Sequence, residues 1–281
     1  MTTPLWRASS SSDPHCSAVT EAGLEPVELR RLRLTVAYLG TGFHGFAPQR
    51  GVPTVAGTLG EALARLLRRP VELVCAGRTD AGVHAWGQVV SLDAPHETDL
   101  VRLQRSINKM LAPAISLREA AWAPDGFDAR RWATSRTYRY SILCSGPPDP
   151  FSAATAWHVG QPLDVRGMQQ ACDPLLGEHD FTSFCHRSPG VSLVRKVLRA
   201  EWSELGGDRL CFEVEATSFC QQMVRSIVGT LVDVGRGRRR AGDMTAVLAA
   251  RNRAAAGAVA PPHGLCLWEV AYAGLGEPFR P

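Results

Sequence analysis

The sequence predicts an α+β fold with helices on one side of a mostly antiparallel sheet. Two observations carry that reading. Runs of strand length with alternating or continuous apolar character are separated by stripes at helical spacing, in the order strand, helix, strand, loop, strand, helix. The second half of the chain then repeats the same mixture of elements after a Gly/Pro-rich link.

Each element has its own local reason. Leu32, Leu34, Val36 and Tyr38 alternate onto one face, which predicts a half-buried strand over residues 31–38. Residues 39–46 are too Gly-rich for a helix and read as a loop. Thr54 is placed to cap a helix whose stripe of Val55, Leu59, Leu63, Leu66 and Leu67 ends at Pro70. Residues 71–75 and 86–92 are aliphatic and bounded by Gly, so they read as short strands around a loop. A second helix is predicted over 99–111, with Leu100, Leu103, Ile107 and Leu111 on one face and Pro113 beyond its end. A long strand follows over 132–144.

Gly146-Pro147-Pro148-Asp149-Pro150 is the predicted link. Beyond it the patterns give a helix around 165–176, then strands around 191–202 and 210–216 joined by Gly206-Gly207-Asp208. Met223, Ile227, Leu231 and Val234 mark a helix over 219–234, ended by Gly235-Arg236-Gly237-Arg238-Arg239-Arg240. A short helix over 243–250 and a closing strand over 265–272 complete the set. The expected organisation is a disordered Ser/Thr/Pro-rich extension at 1–27, an α+β half at 28–146 and a second at 147–281.

Composition narrows the class. Of 281 residues, 45% are hydrophobic and 21% charged, which suits a globular chain with a sizeable core. The net charge of +4 is compatible with a polyanionic partner. Only Lys109 and Lys196 are lysines among 31 basic residues; the arginine bias suits RNA phosphates and bases, and equally a coding bias towards Arg codons. The eight cysteines include no Cys-x-x-Cys pair, and Cys75, Cys144 and Cys211 sit in apolar runs, as reduced buried thiols do. No apolar run approaches the length of a membrane span, and residues 1–7 lack the apolar core of a signal peptide. The expectation is a cytoplasmic protein without membrane contact.

The chemistry concentrates in Ala76-Gly77-Arg78-Thr79-Asp80-Ala81-Gly82-Val83-His84-Ala85. Gly77 and Gly82 permit a sharp turn or a close approach to a ligand, and a cation, a hydroxyl and a carboxylate stand consecutively between them. Taken alone, an Asp here is also a common turn former. The string resembles the catalytic signature of the TruA family of tRNA pseudouridine synthases. Four further blocks resemble that family in the same order. They are residues 38–46 with 54–59, residues 127–130 with 136–140, residues 218–231, and residues 262–267. Together they cover the chain from residue 31 to 272. Two departures stand out: Gln221 and Gln222 occupy positions that often hold His in relatives, and Phe46-Ala47-Pro48-Gln49 replaces a more usual Trp-Gln-x-Gln.

The resemblance implies two ferredoxin-like halves around a central RNA-binding and catalytic cleft. It implies isomerisation of uridine to pseudouridine at positions 38, 39 and 40 of the tRNA anticodon stem-loop, by a homodimer that shares one tRNA. No cofactor and no metal are expected, because the uracil never leaves the pocket. Asp80 is then the nucleophile, which a nearby guanidinium keeps ionised. Tyr138 stacks on the target base and assists proton transfer from its carbon five. Arg225 pairs with Asp80 across the two halves, at about 2.7–3.2 Å. Arg78 enters the RNA stem in place of the flipped base, and Leu265 packs against the uracil. Read without the resemblance, Tyr138 is also a strand-face aromatic, Leu265 a core leucine and Arg225 a surface helix charge. Two rival classes remain: a non-catalytic tRNA-binding or chaperone protein of the same fold, and a metal enzyme. For the latter, Glu178-His179-Asp180 and Cys185-His186 lack familiar ligand spacing.

Overall fold

A computed structural model describes residues 28–144, 146–186 and 190–274; the predicted extension at 1–27 lies outside them. Ten strands join in one sheet. The first strands are β1 (Leu29–Tyr38), β2 (Val74–Cys75), β3 (His84–Pro95), β4 (Ile115–Trp122) and β5 (Ala133–Leu143). The others are β6 (Trp157–His158), β7 (Gly177–Asp180), β8 (Val194–Gly206), β9 (Arg209–Ala216) and β10 (Leu265–Tyr272). The order is β4-β1-β3-β10-β5-β9-β8-β7, with β2 on β3 and β6 on β5. Pairing is antiparallel except between β3 and β10 and between β5 and β6.

The order contains one pattern twice. Strands β4-β1-β3-β2 and β10-β5-β9-β8 each run fourth, first, third, second in chain order, the arrangement of a βαββαβ ferredoxin-like unit. In the first unit the crossovers are α1 (Val55–Leu67) and α2 (Leu100–Leu111). In the second they are α3 (Val165–Gln170), then α4 (Met223–Gly235) with α5 (Asp243–Ala250). The expected division at 146/147 separates β5 from β9 and β10, the two strands with which it makes its long ladders. The units fuse where Cys266 and Leu267 of β10 pair with His84 and Ala85 of β3. Since β1 takes one edge of β3, β2 and β10 share the other, and residues 76–83 emerge between them.

Local chemistry explains the helix starts. The Thr54 hydroxyl accepts from Gly57 N–H at 3.3 Å, and the Asp99 carboxylate from Arg102 N–H at 3.0 Å. Helix α4 starts four residues later than the periodicity implies, because Gln222 adopts a left-handed conformation (φ 63°). The segment before it is thereby free to place Phe219 against Tyr138. Pro174 confines the predicted 165–176 helix to α3 and a short 3-10 turn, Asp173–Leu175. Strands β4 and β7 were not anticipated. The core runs the length of the sheet, with Leu32, Leu34, Leu59, Leu63, Leu92 and Ile107 fully buried in the first unit and Phe181, Phe184, Phe212, Ile227 and Leu231 in the second. Among the described residues no helix is long and apolar enough to cross a membrane.

Candidate active site

The 76–83 loop lies where the two units meet. Its backbone is tied by Ala76 N–H to Val89 O (2.9 Å), Phe46 N–H to Thr79 O (3.1 Å), and Val83 N–H to Asp80 O (3.1 Å). The 39–46 loop packs directly on it: a β-carbon at Gly40 would stand 2.0 Å from Val83 O, so only glycine fits. Gly82 holds φ +80° against Pro262 of the second unit.

Asp80 projects from this loop, and Arg225 reaches it from the first turn of α4. Arg225 Nη1 lies 3.3 Å from Asp80 Oδ2, slightly longer than expected, across 145 residues of sequence. The Arg225 side chain is 14% exposed and that of Asp80 is 29%, so the pair sits in a recess open to solvent on the carboxylate side. Arg225 is itself anchored, its Nε donating to Ala260 O at 2.7 Å while Ala260 N–H donates to Arg225 O at 3.1 Å. Among the described residues, Asp80 Oδ1 accepts no hydrogen bond.

Tyr138 packs against the same loop. Its ring meets Phe219 edge-on, with centroids 5.0 Å apart, and its hydroxyl stands 3.8 Å from the β-carbon position of Gly77. Burial pushes its phenol pKa up; Arg136 opposes the shift and the Asp80 charge adds to it, so the ring is neutral. Tyr138 pairs with Leu267 across β10, and Leu265 pairs with Tyr140, so these four side chains share one face. Arg139 faces the opposite side, over the Trp268 ring at 3.9 Å. Arg78 is exposed and pairs with no carboxylate among the described residues. The structure thus gathers Asp80, Arg225 and Tyr138, places buried Leu265 at the start of the neighbouring strand, and leaves Arg78 at the surface.

Two supporting residues carry no role in the sequence reading. Arg136 is buried, and its guanidinium donates to Ala76 O (2.9 Å), Arg130 O (2.9 Å), Thr217 O (2.8 Å) and Ala133 O (3.2 Å). Burial lowers its pKa. It fixes the start of the 76–83 loop and faces Tyr138 with positive charge. His84 accepts from Gly40 N–H at Nδ1 (2.9 Å), so its proton is on Nε2, which faces Ala154 O (2.9 Å) and His263 O (3.0 Å). It binds the loop's exit to both units. For His84 the signal was in the sequence, an imidazole at the head of a largely apolar strand, whereas Arg136 stands among Thr, Ser and a second Arg that hide it.

Comparison with known proteins decides the family. Residues 171–273 match the family model described as tRNA pseudouridine synthase. The tRNA pseudouridine synthase A of Myxococcus xanthus is 41% identical over 246 residues, spanning 86% of this chain and 92% of that protein. The chain belongs to the TruA family of tRNA pseudouridine synthases. The TruA protein of Frankia casuarinae is 44% identical over 252 residues, covering 87% of this chain and 90% of its own. That of Bacillus subtilis is 39% identical over 245 residues, with 99% of its own length covered. The matched span of the family model holds Arg225 and Leu265, while the alignments to TruA relatives extend over most of the chain. TruA membership makes the chain an isomerase, a tRNA pseudouridine synthase.

Proposed function

We propose that the chain converts uridine to pseudouridine at positions 38, 39 and 40 of the tRNA anticodon stem-loop, with Asp80 as the nucleophile. The observation that carries this reading is the ion pair of Asp80 with Arg225, beside Tyr138 and at the junction of the two units. The guanidinium engages one carboxylate oxygen and leaves the other without a hydrogen-bond partner among the described residues. That free oxygen attacks the ribose carbon as the bond to N1 of the uracil breaks, giving a covalent sugar–enzyme ester. The detached uracil turns and its C5 bonds to the same carbon as the ester bond to Asp80 breaks, returning the free carboxylate. The C5 proton leaves and N1 gains one, so the sum is an isomerisation that consumes nothing.

Tyr138, held neutral by burial, offers a stacking face for the uracil. Leu265 packs on that base, and exposed Arg78 is free to enter the stem once the uridine has flipped out. The enzyme works as a homodimer on one tRNA in the cytoplasm, with no added cofactor. Mapping pseudouridine in an unmodified tRNA transcript after treatment with the protein tests the site assignment. Conversion confined to 38, 39 and 40 is expected, and conversion only elsewhere refutes it. A mass of one chain by light scattering in the presence of tRNA refutes the dimer.

A further inference from the structure

A buried hydrogen-bond chain ends on the segment that carries Asp80. Gln88 of β3 is fully buried and faces the loop. Gly77 N–H donates to its Oε1 at 3.4 Å, and its Nε2 donates to Gly77 O at 2.6 Å. This double bond fixes the amide orientation, because a peptide N–H must meet the oxygen and a carbonyl the NH2. The remaining N–H of Nε2 points to the Tyr38 hydroxyl at 3.4 Å. That hydroxyl accepts there, and it shares a further hydrogen bond with Thr79 Oγ1, 2.8 Å away, in which either oxygen can donate. Burial pushes the Tyr38 phenol pKa up, which keeps the hydroxyl protonated.

Thr79 precedes Asp80 directly and Gly77 lies three residues before it. The loop is therefore gripped at both points from inside the first unit, while Arg225 holds the carboxylate from the second. We propose that Tyr38 is a positioning residue for Asp80: its hydroxyl, oriented by Gln88, fixes Thr79 and with it the angle at which the carboxylate meets the ribose. The inference rests on Asp80 being the nucleophile.

Tyr38→Phe removes one oxygen and keeps the ring. We expect its single-turnover rate on tRNA to fall about tenfold to a hundredfold, the scale of a sub-ångström misplacement, with KM within about threefold of the parent. A hydroxyl that served stability alone would lower Tm and leave the rate of the folded protein unchanged. Thr79→Val removes the other end of the same bond, so the double variant should lose no more than the worse single one. Thr79→Ser keeps the oxygen and should recover most of the rate that Thr79→Val loses. A parental rate in Tyr38→Phe, or losses that multiply in the double variant, overturns the proposal. Should Tyr38→Phe not fold, equal rates in Thr79→Ser and Thr79→Val overturn it. Asp80→Asn, assayed in parallel, separates the two readings. An active Asp80→Asn removes the nucleophile assignment; an inactive one beside a fully active Tyr38→Phe removes only the role of Tyr38.

Discussion

The two ferredoxin-like units share a strand order and differ most at one connection. In the second unit, β8 and β9 are long and joined by a tight turn at Gly207 and Asp208, with φ of +58° and +62°. That turn is a local hairpin, determined by its own backbone. In the first unit the equivalent strands are β2, two residues long, and β3, and the residues between them form the loop that carries Asp80. With so little strand before it, the loop has no hairpin ladder to follow. Its shape comes from distant groups: Phe46, Arg136, Gln88 and Tyr38. The second crossover helices differ in the opposite sense. Leu103 and Ile107 are the buried residues of α2, whereas α4 is buried along nearly its whole length and delivers Arg225. One copy of the motif supplies a precisely held carboxylate, and the other the rigid cation that meets it.

The sharpest test of this contrast sets the two loop aspartates against each other. Asp80→Asn should abolish pseudouridine formation, whereas Asp208→Asn in the hairpin should leave it at the parental level, since Asn tolerates a left-handed conformation. Equal losses in the two would dissolve the distinction. Next comes the cation. Arg225→Met should lower kcat about tenfold to a hundredfold by leaving the carboxylate unaccompanied, with tRNA binding retained on gel-shift titration. Arg225→Lys should rescue only part, because a lysine cannot serve both Ala260 O and Asp80 as a planar fork does.

The helices can be compared through stability. A β-carbon at Gly229 of α4 would lie 1.8 Å from Ala258 O, so Gly229→Ala should cost about 1–3 kcal/mol in urea denaturation. Activity should fall with it, because the displaced segment includes Ala260. Arg105→Ala on exposed α2 should change stability by less than about 0.5 kcal/mol.

The smallest effect concerns the junction. Burial lowers the His84 pKa below its ordinary 6.5. Below that value the unfolded chain takes up a proton that the folded imidazole refuses. Stability should therefore fall as pH drops through 6.5 towards the folded value, and be insensitive to this group at higher pH. Tm measured at about pH 7 and pH 5 should fall less in His84→Asn than in the parent.

Elements governed by near neighbours were legible in the sequence. Thr54 announced α1, the stripe of Leu100, Leu103, Ile107 and Leu111 announced α2, and the closing strand lay where it was expected, at Leu265–Tyr272. Strand β4 escaped because Arg118, Glu119 and a run of alanines blur its pattern, and its register to β1 shifts between Thr35 and Val36. Strand β7, Gly177–Asp180, has no apolar residue to reveal it. At the site, the partnership of Asp80 with Arg225 spans 145 residues, beyond any periodicity; only the family resemblance suggested it. Arg136 looked like an ordinary strand charge because its partners are all backbone carbonyls, which leave no trace in side-chain pattern.

The insertion of β10 between β3 and β5 has a consequence for synthesis. Every other strand leaves the ribosome before β10, so until residues 265–272 emerge, the N-terminal part of β3 and one edge of β5 stand open beside each other. The first unit can assemble early from its own strands, but the two halves of the recess gain their shared backbone only with the last strand. A ribosome-bound chain stalled after Gly264 should therefore show a protected β1–β3 ladder in hydrogen exchange with β5 still exchanging along one edge. Full protection of β5 in that chain would mean that the halves lock together without their final strand. The recess at Asp80 thus comes with a built-in delay, set by translation, between the birth of its carboxylate and the closing of the sheet beneath it.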